Sequence, residues 1–86
     1  MRTPRQYRID RAVARMLANC GDFLLPEERL IDEVGLFIAT PRPTRAEIED
    51  SIRHMEAERR ILGLAGEAIT QWKLTAMGRA WWLEVQ

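Results

Sequence analysis

The stretch that decides the fold is Pro41–Thr75, PRPTRAEIEDSIRHMEAERRILGLAGEAITQWKLT. Thr44 stands three residues before Glu47, the spacing at which each side chain satisfies an orphan backbone N–H of a helix start. Behind it Ile48, Ile52 and Met55 recur at helical intervals and mark one buried face. This predicts a helix over about 45–60. Two apolar runs follow, Ile61–Ala65 and Ile69–Leu74, flanking Gly66-Glu67. That pattern predicts a β-hairpin.

Upstream, Thr3-Pro4-Arg5-Gln6 is a second start signal, with Thr as N-cap, Pro at the first helical position and Gln at the third. Ile9, Val13, Met16, Leu17 and Cys20 then keep a helical stripe, and Gly21 is a good stop. The first helix is expected over about 4–20. Phe23-Leu24-Leu25 predicts a short strand that pairs with the hairpin. Pro26 opens a second helix with Glu27 and Glu28 in its first turn, where the dipole favours acids. Leu30, Ile31, Val34, Phe37 and Ile38 supply its apolar face, so it is expected to reach about Ile38, with Gly35 either ending it or lying inside. The prolines of Ala39–Pro43 make a stiff turn. Thr75 caps a last helix over about 76–85. The expected fold is therefore mainly α with a small antiparallel sheet, in the order α-β-α-α-β-β-α, as one domain over residues 1–86.

Composition narrows the function classes. A chain of 86 residues buries roughly 60–65% of its unfolded surface, enough for a small core. No apolar run is long enough to span a membrane, and the Arg-rich start lacks the apolar core of a signal peptide. A lone cysteine, Cys20, cannot form an internal disulfide, which fits a reducing cytoplasm. Cys20 lies on the apolar stripe, as a small core residue does. One His and one Cys make no metal cluster. There is no Gly-rich phosphate loop or nucleophile elbow. The acidic pairs Glu27-Glu28 and Glu49-Asp50 sit on exposed turns without a predicted pocket. These absences argue against an enzyme, a cofactor or a small-molecule ligand.

Formal net charge is zero, but it is unevenly spread. Residues 1–15 hold five arginines against Asp10, net +4; residues 16–39 are net −4; residues 40–45 add +2; residues 46–60 are net −2. Only the first helix and the 42–45 corner are clearly basic. Arg5, Arg8, Arg11 and Arg15 recur every three or four residues and so line one side of the first helix, either as a solvated face or as a phosphate-contacting one. Trp81 and Trp82 point about 100° apart. In one reading Trp81 packs with Met77 on the first helix and Trp82 covers the rim. In the other, Trp81 and Trp82 with Leu83 and Val85 form a protein interface, since Trp is enriched in interface hot spots.

The element order and several local patterns resemble the winged helix-turn-helix superfamily over Arg11–Leu83. Leu25-Pro26-Glu27-Glu28-Arg29-Leu30-Ile31 looks like the start of the family's second helix. Thr44 to Glu56 looks like its recognition helix, and the chain then enters the wing at Ile61-Leu62. Lys73-Leu74-Thr75-Ala76-Met77-Gly78 is similar to the LT-x-x-G that follows the wing in many bacterial regulators. The resemblance implies a small regulator of bacterial or phage type, binding double-stranded DNA with the recognition helix in the major groove. Its contacts would come from Arg42, Thr44, Arg45, Glu49 and Arg53, with Arg5, Arg8, Arg11 and Arg15 on phosphates. A homodimer through the terminal helix is also implied. The departures are acidic: Glu47, Glu49, Asp50, Glu56 and Glu58 lie along the same helix, and the wing tip carries no Arg or Lys. The alternative implied by those departures is an adaptor or assembly component that binds another protein through the acidic second helix or the Trp-bearing terminal helix.

Overall fold

The structure, a computed structural model, describes residues 1–86. Its elements are α1 (Pro4–Asn19), β1 (Leu25–Pro26), α2 (Glu27–Phe37), α3 (Arg45–Ala57), β2 (Ile61–Ala65), β3 (Thr70–Leu74) and α4 (Ala76–Val85). This is the expected order, mainly helical with one antiparallel sheet of three strands ordered β1-β3-β2. No helix is long and apolar enough to cross a membrane.

Three threonines start three of the helices. Thr3 Oγ1 accepts from the Gln6 N–H at 3.1 Å while Gln6 Oε1 accepts from the Thr3 N–H at 2.9 Å. Thr44 and Glu47 repeat the exchange at 3.2 and 3.0 Å. Thr75 Oγ1 accepts from the Gly78 N–H at 2.9 Å. Each bond satisfies a donor that a helix start otherwise leaves unpaired. Gly35 lies inside α2, not at its end. A Cβ there would meet only Ile48 Cδ1, at an ordinary 3.8 Å. Gly35→Ala is therefore expected to stabilise the protein by about 0.5–1 kcal/mol, the propensity difference between the two residues in a helix interior. A urea midpoint that falls would show that α2 and α3 cannot accommodate the methyl.

Three boundaries differ from expectation. The α3 helix stops at Ala57 rather than about residue 60. Arg59 adopts a left-handed φ of 60°. Its N–H donates to Glu56 O at 2.9 Å, and the Arg60 N–H donates to Met55 O at 2.9 Å. This is the Schellman closure, usually built with glycine, that satisfies the last helical carbonyls and turns the chain away. It delivers Ile61, 2% exposed, into the core. The short strand forms at Leu25–Pro26, not at Phe23–Leu25. The chain spends the residues after Gly21 (φ 62°) turning away from α1, so Leu25 is the residue that pairs with Trp72, and Phe23 is left exposed. The hairpin loop covers residues 66–69, longer than Gly66-Glu67. The last cross-strand pair is Ala65 with Thr70, and the Gly66 N–H closes the loop onto Ile69 O at 2.7 Å.

The α1 helix lies at the centre, in contact with α2, α3, α4 and β3. Its buried side, Ile9, Ala12, Val13, Ala14 and Leu17, meets Leu30 and Val34 of α2, Ile48, Ile52 and Met55 of α3, and Trp72 and Leu74 of β3. Trp72 ties the sheet to α2, because its indole N–H donates to Glu27 Oε1 at 3.1 Å. The ring lies across Gly63 of β2, where a Cβ would fall 2.7 Å from ring carbon Cζ3, so the strand glycine marks a close approach. Cys20 packs against the edge of the core and donates its thiol to Met16 O at 3.4 Å. Burial and Glu33 push that thiol's pKa up, away from the range of a reactive thiolate.

Candidate functional site

Two surfaces hold the residues singled out by sequence, and the arginines behave differently on each. The first is the start of α3. Arg45, the first residue of that helix, forms a bidentate pair with Glu28 of α2 at 2.8 and 2.6 Å and lies 3.5 Å from Glu49. The Glu28 hydrogen bonds, more than the charge of Glu49, raise the guanidinium's pKa further, and Arg45 in turn lowers that of Glu28. Arg5 of α1 likewise grips Glu47 at 2.6 and 3.0 Å. Arg2 reaches Asp50 at 3.1 Å. The outer side of α3 thus presents Arg45, Asp50, Arg53 and Glu56 with the half-buried Glu49, acids interleaved among cations. Arg42 and Arg53 are exposed and form no ion pair. Thr44 is occupied in capping.

Glu47 has two structural duties, which fixes its titration. Arg5 foremost, and then the Thr44 backbone N–H, hold its carboxyl down to about 2, against about 4.3 for an unperturbed glutamate. A depressed carboxyl contributes stability above its unfolded pKa and loses it as pH falls through its folded one. Stability is therefore expected to drop between about pH 4.5 and pH 2, and Glu47→Gln should flatten part of that slope. A carbon-detected titration of the Glu47 carboxyl checks this directly, and a midpoint near 4.3 would mean that neither partner holds it in solution.

The second surface lies on α1, away from Arg5. Arg8, Arg11 and Arg15 line a groove of about 470 Å³ whose apolar wall is Phe37 and Ile38 from the end of α2 and Trp82 and Val85 from α4. All three arginines are exposed and none forms an ion pair or a side-chain hydrogen bond. Arg15 sits 4.8 Å over the Phe37 ring and Arg11 5.2 Å over Tyr7. Such cation–π contacts attract the guanidinium without a hydrogen-bond acceptor, so its N–H donors are not taken up by the ring. Arg5 does not join this group. The four-arginine line splits, one member bridging to α3 and three facing the groove.

The two terminal tryptophans straddle α1. Trp81 meets Tyr7 edge-on at 6.1 Å and carries Arg60 4.4 Å over its ring, while Met77, its expected companion, is exposed. Trp82 is half-buried on the groove side with Val85, and Leu83 is exposed.

Sequence reading missed a third cluster. Asp10 is 1% exposed on α1. Arg2 forks onto it at 3.0 and 2.6 Å, the buried Ser51 hydroxyl donates to it at 2.5 Å, and His54 Nε2 lies 4.0 Å away. The signal was present, because Asp10 stands three and four residues before Val13 and Ala14 on the buried stripe. A carboxylate in that position needs partners. Because Ser51 donates to Asp10 and not to His54, the three side chains lack the nucleophile–base order of a hydrolytic triad.

No protein family, no curated protein and no solved structure matches this chain.

Proposed function

We propose that the chain is a winged-helix protein-interaction module whose working surface is the groove between α1 and α4. The observation that carries this reading is the division of the arginines. Arg45, at the start of α3, where a major-groove reader needs free guanidinium edges, is tied to Glu28 and Glu49. Arg8, Arg11 and Arg15 are unpaired and stand beside Trp82. An outer helix face that interleaves Glu49, Asp50 and Glu56 with Arg53 repels a polyanion as much as it attracts one.

Two observations favour the DNA-binding reading: Arg42, before α3, and Arg53, within it, are unpaired, and the unpaired Arg8, Arg11 and Arg15 of α1 are free to meet phosphates. Fluorescence anisotropy of a labelled random-sequence duplex, at low and then at physiological salt, separates the two readings. For the interaction module, binding is expected to be weaker than the ~10⁻⁴–10⁻⁶ M of ordinary non-specific DNA binders and indifferent to Arg45→Ala and Arg53→Ala. Tight, salt-steep binding that each substitution weakens by about 1–3 kcal/mol would instead place α3 on DNA and overturn the module reading.

A further inference from the structure

We infer that the occupant of the α1–α4 groove is an amphipathic α-helix of a partner protein, with carboxylates at i, i+3 and i+7 flanking an apolar stripe. This rests on the protein-interaction reading and specifies its partner. Arg8, Arg11 and Arg15 are themselves spaced i, i+3 and i+7 on α1, so their guanidiniums follow about 10 Å of helix axis, two turns. A partner helix lying along α1 and bearing acids at the same spacing presents one carboxylate to each arginine. The fork geometry of guanidinium and carboxylate makes these the strongest of the ordinary charge-assisted pairs. Beside the cations, Phe37, Trp82 and Val85 line the same groove with apolar side chains, which fits the i, i+3, i+4 side chains of a helix in a groove.

The same features weigh against other occupants. A phosphate backbone would satisfy the arginines but leave the apolar wall unmatched. A second copy of this chain has unpaired acids, among them Asp32, Glu56 and Glu84, but none of its helices carries free carboxylates at i, i+3 and i+7.

The test uses a capped, fluorescein-labelled helical peptide with glutamates at i, i+3 and i+7 and leucines on the adjoining face, and its glutamine-for-glutamate counterpart. Anisotropy gives affinities, and amide chemical shifts of the full chain give location. The glutamate peptide is expected to bind about tenfold more tightly than the glutamine one, with shifts centred on α1 and α4. Arg11→Ala and Arg15→Ala should each weaken it about fivefold, and Trp82→Ala about tenfold. If Trp82→Ala loses its circular dichroism, Val85→Ser carries the same question. Equal affinity for the two peptides, no binding of either, insensitivity to the arginine substitutions, or groove shifts that appear on raising the protein's own concentration would each overturn the inference. The shared reading fails separately. Salt-steep duplex binding through α3 sinks the module itself, whereas a peptide that shifts only the hairpin or α3 sinks the groove assignment and leaves the module standing.

Discussion

Gly78→Ala is expected to destabilise the protein by about 3 kcal/mol, toward the upper end of what overpacking costs. A Cβ at Gly78 would fall 1.8 Å from the carbonyl oxygen of Arg60 and 2.7 Å from its carbon. Both are backbone atoms, so no rotamer change relieves the clash. Neither peptide group is free to move. The Arg60 carbonyl accepts from the Thr75 N–H at 3.0 Å, and the Thr75 hydroxyl donates to Arg59 O at 2.6 Å while accepting from the Gly78 N–H. Helix propensity pulls the other way, favouring Ala over Gly by about 1 kcal/mol, and is outweighed by the clash. Urea denaturation monitored by circular dichroism checks the sign, and a rise in stability would mean that α4 sits farther from Arg60 than described. Thr75→Ala should act in the same direction but less, by about 1 kcal/mol, the ordinary worth of an N-cap.

The second large effect is at Asp10. Asp10→Ala is expected to cost about 3 kcal/mol, as breaking a buried ion pair does when one partner remains. The loss leaves the Arg2 guanidinium, only 21% exposed on its side chain, with the exposed Asp50 carboxylate as its one remaining ion-pair partner, and the Ser51 hydroxyl, 0% exposed, without an acceptor. Ser51→Ala removes one donor and leaves the pair with Arg2 in place, so about 1 kcal/mol is expected there. If Asp10→Ala cost less than about 1 kcal/mol, the cluster would be behaving as a surface pair does, and α1 and α3 would be held together by their apolar faces alone.

The features legible in the sequence were those written in local chemistry. Thr3, Thr44 and Thr75 announce their helices because a cap and its partner lie within three residues, and α4 runs over the residues expected of it. What escaped notice depends on distant partners. Nothing in Glu58-Arg59-Arg60 disfavours a helix, and α3 ends there because Arg59 turns left-handed to send Ile61 into the core. The candidate site divides along the same line. The i, i+3, i+7 arginines of α1 could be read directly. That Phe37 and Trp82 would stand beside them, that Arg5 would leave the group for Glu47, and that Glu28 would hold Arg45 required the packing of α1, α2, α3 and α4. Side chains that recur along one helix are visible to a reader of sequence, whereas ion pairs separated by 17 or 42 residues are not.

The joint at Arg59, Arg60, Thr75 and Gly78 brings the entrance and exit of the hairpin together at one point. Everything from Ile61 to Leu74 leaves the helical body and returns to it through the same pinned backbone. Residues 66–69 at the far end lie outside the core cluster. The hairpin end is thus the position at which this chain can accept foreign sequence. A peptide or small tag spliced between Glu67 and Ala68 lengthens a loop whose base is already fastened, at an added closure cost of only about 0.6 kcal/mol per doubling of its length. The helices, and the groove between α1 and α4, would keep their geometry while the molecule carries a new epitope.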